Sequence, residues 1–180
     1  SQKSLINLLI KSQANVDLFD NDGETALHFA VDSTYKRISI VKLLLNAGAN
    51  TNIQNFLGET PLMLACKYGK QYYDDDNDNQ SDDSENSLDL NNKNEEIIKL
   101  LLKHGANPNL QNKYLQNALH IAIDNYDPSI GIIGELLKYK ADPNVKDWRG
   151  RTAIEYAKFY GYSEILNLIN SVLSVSNIPS

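Results

Sequence analysis

Residues Gly58–Cys66 read GETPLMLAC, and the same frame returns three times: GETALHFAV from Gly23, LQNALHIAI from Leu115 and GRTAIEYAK from Gly150. In each, a Leu or Ile (Leu27, Leu62, Leu119, Ile154) is followed three residues on by an alanine (Ala30, Ala65, Ala122, Ala157), the step that puts both on one face of a helix. Thr25, Thr60 and Thr152 stand where an N-cap belongs, and Pro61 follows one of them at the first helical position. A second frame trails the first three: IVKLLLNAGANTN, IIKLLLKHGANPN and IIGELLKYKADPN. Its apolar residues recur at three- and four-residue steps (Ile40, Leu43, Leu44), and Gly48 or Gly105 sits just beyond, where a left-handed residue ends a helix without a Cβ penalty. Each unit thus reads as two short helices, Ala26–Asp32 and Ile40–Asn46 in the first. No unit can bury both faces alone, so stacking completes the core.

The steps between Thr25, Thr60, Asn117 and Thr152 are 35, 57 and 35 residues. Against a unit of about 33 residues these are small insertions around one large one. Period and motif resemble the ankyrin repeat, whose T-P-L-H-x-A signature the quoted segments follow over about residues 4–173. The resemblance implies an all-α solenoid of stacked helix pairs with β-hairpin finger turns. The units are a half repeat at 1–19, then repeats at about 20–54, 55–111, 112–146 and 147–173, with a loose tail at 174–180. Gln13 and Lys140 take the helix-ending glycine position, and Leu115 and Asn117 replace the usual Gly and Thr, which is expected to weaken the third turn. The first piece, SLINLLIKSQANVDLFD, matches only a second helix; its face of Leu5, Leu8 and Leu9 lacks a first helix. A chain cut from a longer array and a natural half-repeat cap both fit that feature.

Charge is distributed unevenly. The net charge is −6, yet residues 71–94 alone carry seven Asp, one Glu and one Lys, so the repeats are nearly neutral and the acidity belongs to one insertion. A surface without excess cations does not suit nucleic acid. No apolar run approaches the roughly 20 residues of a bilayer span. A lone cysteine, Cys66, excludes an internal disulfide and suits a reducing compartment, the cytoplasm in the simplest case. The insertion cannot support a core and is expected to be disordered. Within it Asp74, Asp76, Asp78, Asp82 and Glu85, with Gln80, fall on the loop positions of an EF-hand calcium site. Seven of the twelve residues Asp74–Glu85 are acidic, so composition alone supplies much of that match, and a solvated tract is the simpler reading.

No catalytic constellation emerges. His28 and His120 fill the fourth position of the motif, where the resemblance implies a hydrogen-bonded first-turn histidine. His104 lies at a helix C-terminus, and Cys66 follows Ala65 in a core position. A cofactor is not expected. The resemblance implies instead a monomeric scaffold that binds another protein or peptide through the finger tips and the exposed ends of the first helices. By position these are Asn21, Asp22 and Glu24, then Phe56, Leu57, Glu59, Lys67 and Tyr68. The third repeat adds Lys113, Tyr114 and Gln116, and the fourth adds Trp148, Arg149, Arg151, Phe159 and Tyr160. Large apolar tips and arginine are interface chemistry, although Phe56 and Trp148 could equally pack on neighbouring fingers. The row reads acidic in the first repeat and basic in the fourth, which fits a partner with an acidic end near Arg149 and Arg151. Two alternatives are a regulatory or targeting segment of a larger enzyme or channel, and a calcium-responsive module.

Overall fold

The computed structural model describes residues 2–32, 38–67, 86–125 and 127–176. Among these residues it is helical throughout. The half repeat supplies α1 (Gln2–Lys11). Each full repeat supplies a short inner and a longer outer helix: α2 (Ala26–Asp32) and α3 (Ile38–Asn46), α4 (Pro61–Lys67) and α5 (Asn86–Lys103), α6 (Ala118–Ile123) and α7 (Ile130–Lys138), α8 (Ala153–Phe159) and α9 (Ser163–Ser176). The inner helices stack in one row, α2 on α4 on α6 on α8, and the outer helices α1, α3, α5, α7 and α9 stack in a second row behind them.

The repeated Leu and Ala positions meet between the rows. Leu27, Leu62, Leu119 and Ala30, Ala65, Ala122, Ala157 are buried with Ile97, Leu101, Ile133 and Leu136 from the outer helices, as one continuous cluster. Burying a Leu or Ile contributes roughly 1.5–3 kcal/mol, so each neighbour a repeat gains adds a large increment. Where α1 has no inner helix beside it, Leu5, Leu8 and Leu9 stay half exposed or more.

The expected hairpins are tighter than strands: a single isolated bridge, Phe19 to Thr25, is present among the described residues. Departures from glycine are met by the backbone itself. Gln13, Leu115 and Lys140 adopt φ of 59°, 54° and 63°, the left-handed region that disfavours a Cβ. Asn117, expected to weaken its turn, caps α6 well: its side-chain oxygen accepts the His120 N–H at 3.1 Å.

Helix α3 starts at Ile38, two residues before the expected Ile40, and two segment boundaries also differ from the sequence reading. Helix α5 begins at Asn86, inside the segment assigned to the disordered insertion, and α9 runs to Ser176, inside the expected tail. Asn94 holds the place in its repeat that the N-cap Ser129 holds in the next. Because α5 continues through it, its Oδ1 is buried without a partner, while its Nδ2 donates to the Ala65 carbonyl at 3.0 Å. The remainder of the insertion lies outside the described residues, and with it the calcium candidates Asp74, Asp76, Asp78, Asp82 and Glu85.

Candidate functional site

One side chain builds each finger. Asp20, Asn55, Asn112 and Asp147 occupy the same position, and in every finger the Oδ1 accepts two backbone N–H groups, two and four residues on. This satisfies donors that a tight turn would otherwise leave unpaired. Neighbouring fingers are then tied by one backbone bond each: Phe56 N–H to Asp22 carbonyl, Lys113 to Leu57 and Trp148 to Tyr114, at 2.9–3.0 Å. The second glycine is required twice over. Gly58 has φ 75°, and a Cβ there would lie 3.0 Å from the Asn112 Cα.

A second tie comes from the inner helices. His28 Nδ1 lies 2.9 Å from the Thr25 hydroxyl and 3.1 Å from its N–H, and Nε2 faces the Glu59 carbonyl of the next finger at 3.1 Å. His120 repeats this toward the Arg151 carbonyl, also at 3.1 Å. Burial pushes both histidines below their ordinary value, against backbone hydrogen bonds that raise it. Cys66 is fully buried, and burial pushes its thiol up to about 12, the reverse of what a nucleophile requires. These groups stiffen the scaffold.

This frame holds a row of apolar side chains outward. Phe56, Leu57, Tyr114 and Trp148 are each half exposed or more at the tips, and the Phe56 ring also lies against Gly23 of the first finger. At the concave end of the last repeat Phe159 is 78% exposed and meets Tyr160 edge-on at 5.1 Å. The Tyr160 hydroxyl donates to Asp124 Oδ1 at 2.5 Å, and that bond, with burial, pushes the phenol up to about 12. Asn21, Asp22 and Lys113 are exposed at the tips. Tyr68 lies outside the described residues.

The two arginines of the fourth finger are engaged by groups of their own repeat. Arg151 is paired within its own finger, with its side chain 38% exposed. Its guanidinium donates to Asp147 Oδ2 at 3.1 Å and to the Tyr156 hydroxyl at 2.7 Å, and lies 4.4 Å from the centre of the Tyr156 ring. The Tyr156 hydroxyl in turn donates to Asp147 Oδ2 at 2.8 Å. Burial would raise the Asp147 carboxyl, but the Arg151 and Arg149 N–H groups, the phenol and the guanidinium together hold it down at about 2. Arg149 rests its guanidinium on the Trp148 ring at 4.5 Å. Similarly Glu59 is largely buried and paired with Lys67 at 3.2 Å, and Gln116 donates to the Tyr156 hydroxyl at 3.2 Å. The sequence reading missed Asp147 and Tyr156; the signal was the Asp or Asn recurring five residues before each N-cap.

Among the described residues no group of three or more His, Cys, Asp or Glu could hold a metal ion, and no helix is long and apolar enough to cross a membrane. The family model for ankyrin repeats, three copies in tandem, matches residues 1–74 and 88–174. An ankyrin repeat protein of Acanthamoeba polyphaga mimivirus is 30% identical over 93% of this chain, which spans 18% of that protein. One from Fowlpox virus is 32% identical over 93% of this chain, which spans 43% of it. A Caenorhabditis elegans homolog of the transient receptor potential cation channel subfamily A member 1 is 34% identical over 66% of this chain, which spans 10% of it. The chain therefore covers less than half the length of each of these relatives. Repeat motif, stacked helix pairs, finger ladder and family match agree: this chain belongs to the ankyrin repeat family.

Proposed function

We propose that the chain binds a partner protein or peptide along its finger tips and concave helix ends, as a non-catalytic interaction module. The observation that carries this reading is the row Phe56, Leu57, Tyr114, Trp148 and Phe159, all half exposed or more on fingers locked by the Asx bonds and the ladder. Rigid, exposed aromatic groups lose little entropy on binding and supply the largest contacts at interfaces. The partner lies across fingers two to four, with its apolar groups on Tyr114, Trp148 and Phe159. Arg149, not Arg151, is the cation offered to it.

The test is selection of peptides from a display library on the intact chain. Selected binders should lose at least about tenfold in affinity with Phe159→Ala or Trp148→Ala, a typical hot-spot effect, while the thermal midpoint stays unchanged. Binders whose affinity ignores both substitutions would place recognition elsewhere. A second reading, a regulatory segment of a larger channel, is favoured by the similarity to the nematode channel homolog. It is compatible with the first, since such a segment would act by binding.

A further inference from the structure

Between the second and third repeats the concave face carries a notch of about 210 Å³ lined by Glu59, Lys67, Tyr114, Gln116, Ile121 and Asp124, with Asn112 and Asn125. Its chemistry is lopsided. The bonds made by the described residues engage Glu59 through Oε1 and Asp124 through Oδ1, and the second oxygen of each carboxylate accepts from none of them. The Asn125 amide is oriented by its Nδ2, which donates to the Cys66 carbonyl at 2.7 Å, so its oxygen is left as a further acceptor. Gln116 donates one of its two amide N–H groups to the Tyr156 hydroxyl and accepts from Asn112 through Oε1. Lys67, half exposed and bonded to Glu59, is the one charged donor among the described lining residues. Two carboxylates thus face one ammonium. Ile121, almost fully buried, and the Tyr114 ring supply apolar surface.

We infer that this notch receives an arginine side chain of the partner. The inference rests on the groove reading above and names the side chain that the groove selects. Arginine joins an aliphatic stem to a planar set of five donors, which matches apolar surface beneath an excess of acceptors. The same surface already shows its preference for that chemistry. At the position equivalent to Gln116 and Glu59 the fourth repeat has Arg151, seated on the Tyr156 ring and bonded to Asp147. Arg149 sits on Trp148 in the same way. Repeats two and three present the ring (Tyr114) and the carboxylates (Glu59, Asp124) and carry no guanidinium of their own among the lining residues. A partner's arginine completes there what repeat four completes internally. An acidic side chain would meet a lining with one more carboxylate than ammonium and is disfavoured there by like-charge repulsion.

The test uses N-acetyl-arginine N-methylamide, titrated to millimolar concentration into the nitrogen-15-labelled chain, with the uncharged citrulline analogue as control. Saturable shifts of the Ile121, Asn125 and Gln116 signals are expected with arginine and not with citrulline. Asp124→Asn should weaken binding about three- to fivefold, the range of a partly exposed ion pair. It keeps an acceptor for Tyr160, and an unchanged thermal midpoint verifies the fold. Tyr114→Ala, at an exposed tip, should act in the same direction. Equal responses to arginine and citrulline would overturn the proposal. So would shifts confined to Asp20, Asp22 and Glu24 that Asp124→Asn leaves unaltered. Display-selected peptides that need Phe159 and Trp148 but tolerate citrulline for every arginine would also overturn it, while leaving the groove reading standing.

Discussion

The junction between repeats two and three is built differently from the junctions on either side of it. In the outer two, a first-turn histidine reaches from one inner helix to the carbonyl of the next finger: His28 to Glu59 and His120 to Arg151, both at 3.1 Å. At the middle junction the same position is Met63, fully buried but without a polar reach, and among the described residues the equivalent Gln116 carbonyl accepts only within its own finger, from Asn112 N–H at 3.0 Å. Compensation sits at the far end of α4. There Asn125, of repeat three, donates across the junction to the Cys66 carbonyl at 2.7 Å, while Asn94, of repeat two itself, donates to the Ala65 carbonyl at 3.0 Å. These are among the last carbonyls of a helix, which lack intrahelical partners. The chain enters its long insertion just after this point. The repeat that loses its tie at the finger end is clamped at the end from which the insertion departs. A stacked array thus tolerates replacement of a motif residue when some other bond closes the same interface.

The largest test is to make the outer junctions resemble the middle one. His28→Met or His120→Met removes the bridge to the next finger and strands the Thr25 or Asn117 groups that contact the ring. Each should cost about 2–4 kcal/mol, as loss of a buried hydrogen-bonded group does, measured by urea unfolding. A cost below about 1 kcal/mol would show that the middle junction lacks nothing.

Acid provides the next. Asp147 builds finger four as a carboxylate where fingers two and three use Asn55 and Asn112. Its folded value near 2 lies below the ordinary 3.8, so its contribution is complete above about pH 4 and is lost as pH falls through its folded value near 2. The amount is on the order of 2 kcal/mol. Asp147→Asn should be less stable at neutral pH by a similar amount and lose that acid step. An unchanged acid step would assign it to other carboxylates.

How far this was legible in the sequence depends on the type of residue. Leu27, Leu62, Leu119 and the paired alanines announced helices and core because period and burial are the same fact seen twice. The inner-helix span Ala26–Asp32 follows from its cap and its period. The tips were placed by the motif. What their charges do was not legible, because it depends on contacts a residue or a repeat away. Nothing in the string says that Arg151 is spent on Asp147 and Tyr156, or that Asp124 meets Tyr160 across 36 residues. The start of α5 at Asn86 was missed for a different reason: Asn, Asp and Ser are weak helix formers in isolation.

Leu115 gives a smaller, stabilising effect. It stands at φ 54° where fingers one, two and four have glycine at 75–79°. Removing a Cβ from the left-handed region relieves about 1 kcal/mol. Leu115→Gly should raise stability by somewhat less than this, because the flexible unfolded chain gains entropy. A loss would mean that the half-exposed Leu115 side chain contributes packing which outweighs its strain.

The smallest change in stability, and the sharpest comparison, comes from Met63→His. Thr60 already offers its hydroxyl at the cap, where it accepts the residue 63 N–H at 3.3 Å. A histidine there can take the Thr60 N–H on Nδ1 and present Nε2–H to the Gln116 carbonyl, as His28 does for Glu59. The gain of two hydrogen bonds, about 1 kcal/mol each, is set against the lost burial of a thioether chain of about 1.5–3 kcal/mol. The net change at pH 7.5 should therefore lie within about 1 kcal/mol of zero. The pH profile is more telling. A buried histidine held below its ordinary 6.5, as His28 and His120 are, stabilises the fold fully above that pH and progressively less as pH falls through its folded value. The native chain has two such groups and the variant should have three, so its stability should fall more steeply below pH 6.5. An identical profile would mean that the new ring has turned away from the third finger, and that the middle junction excludes the tie used by its neighbours.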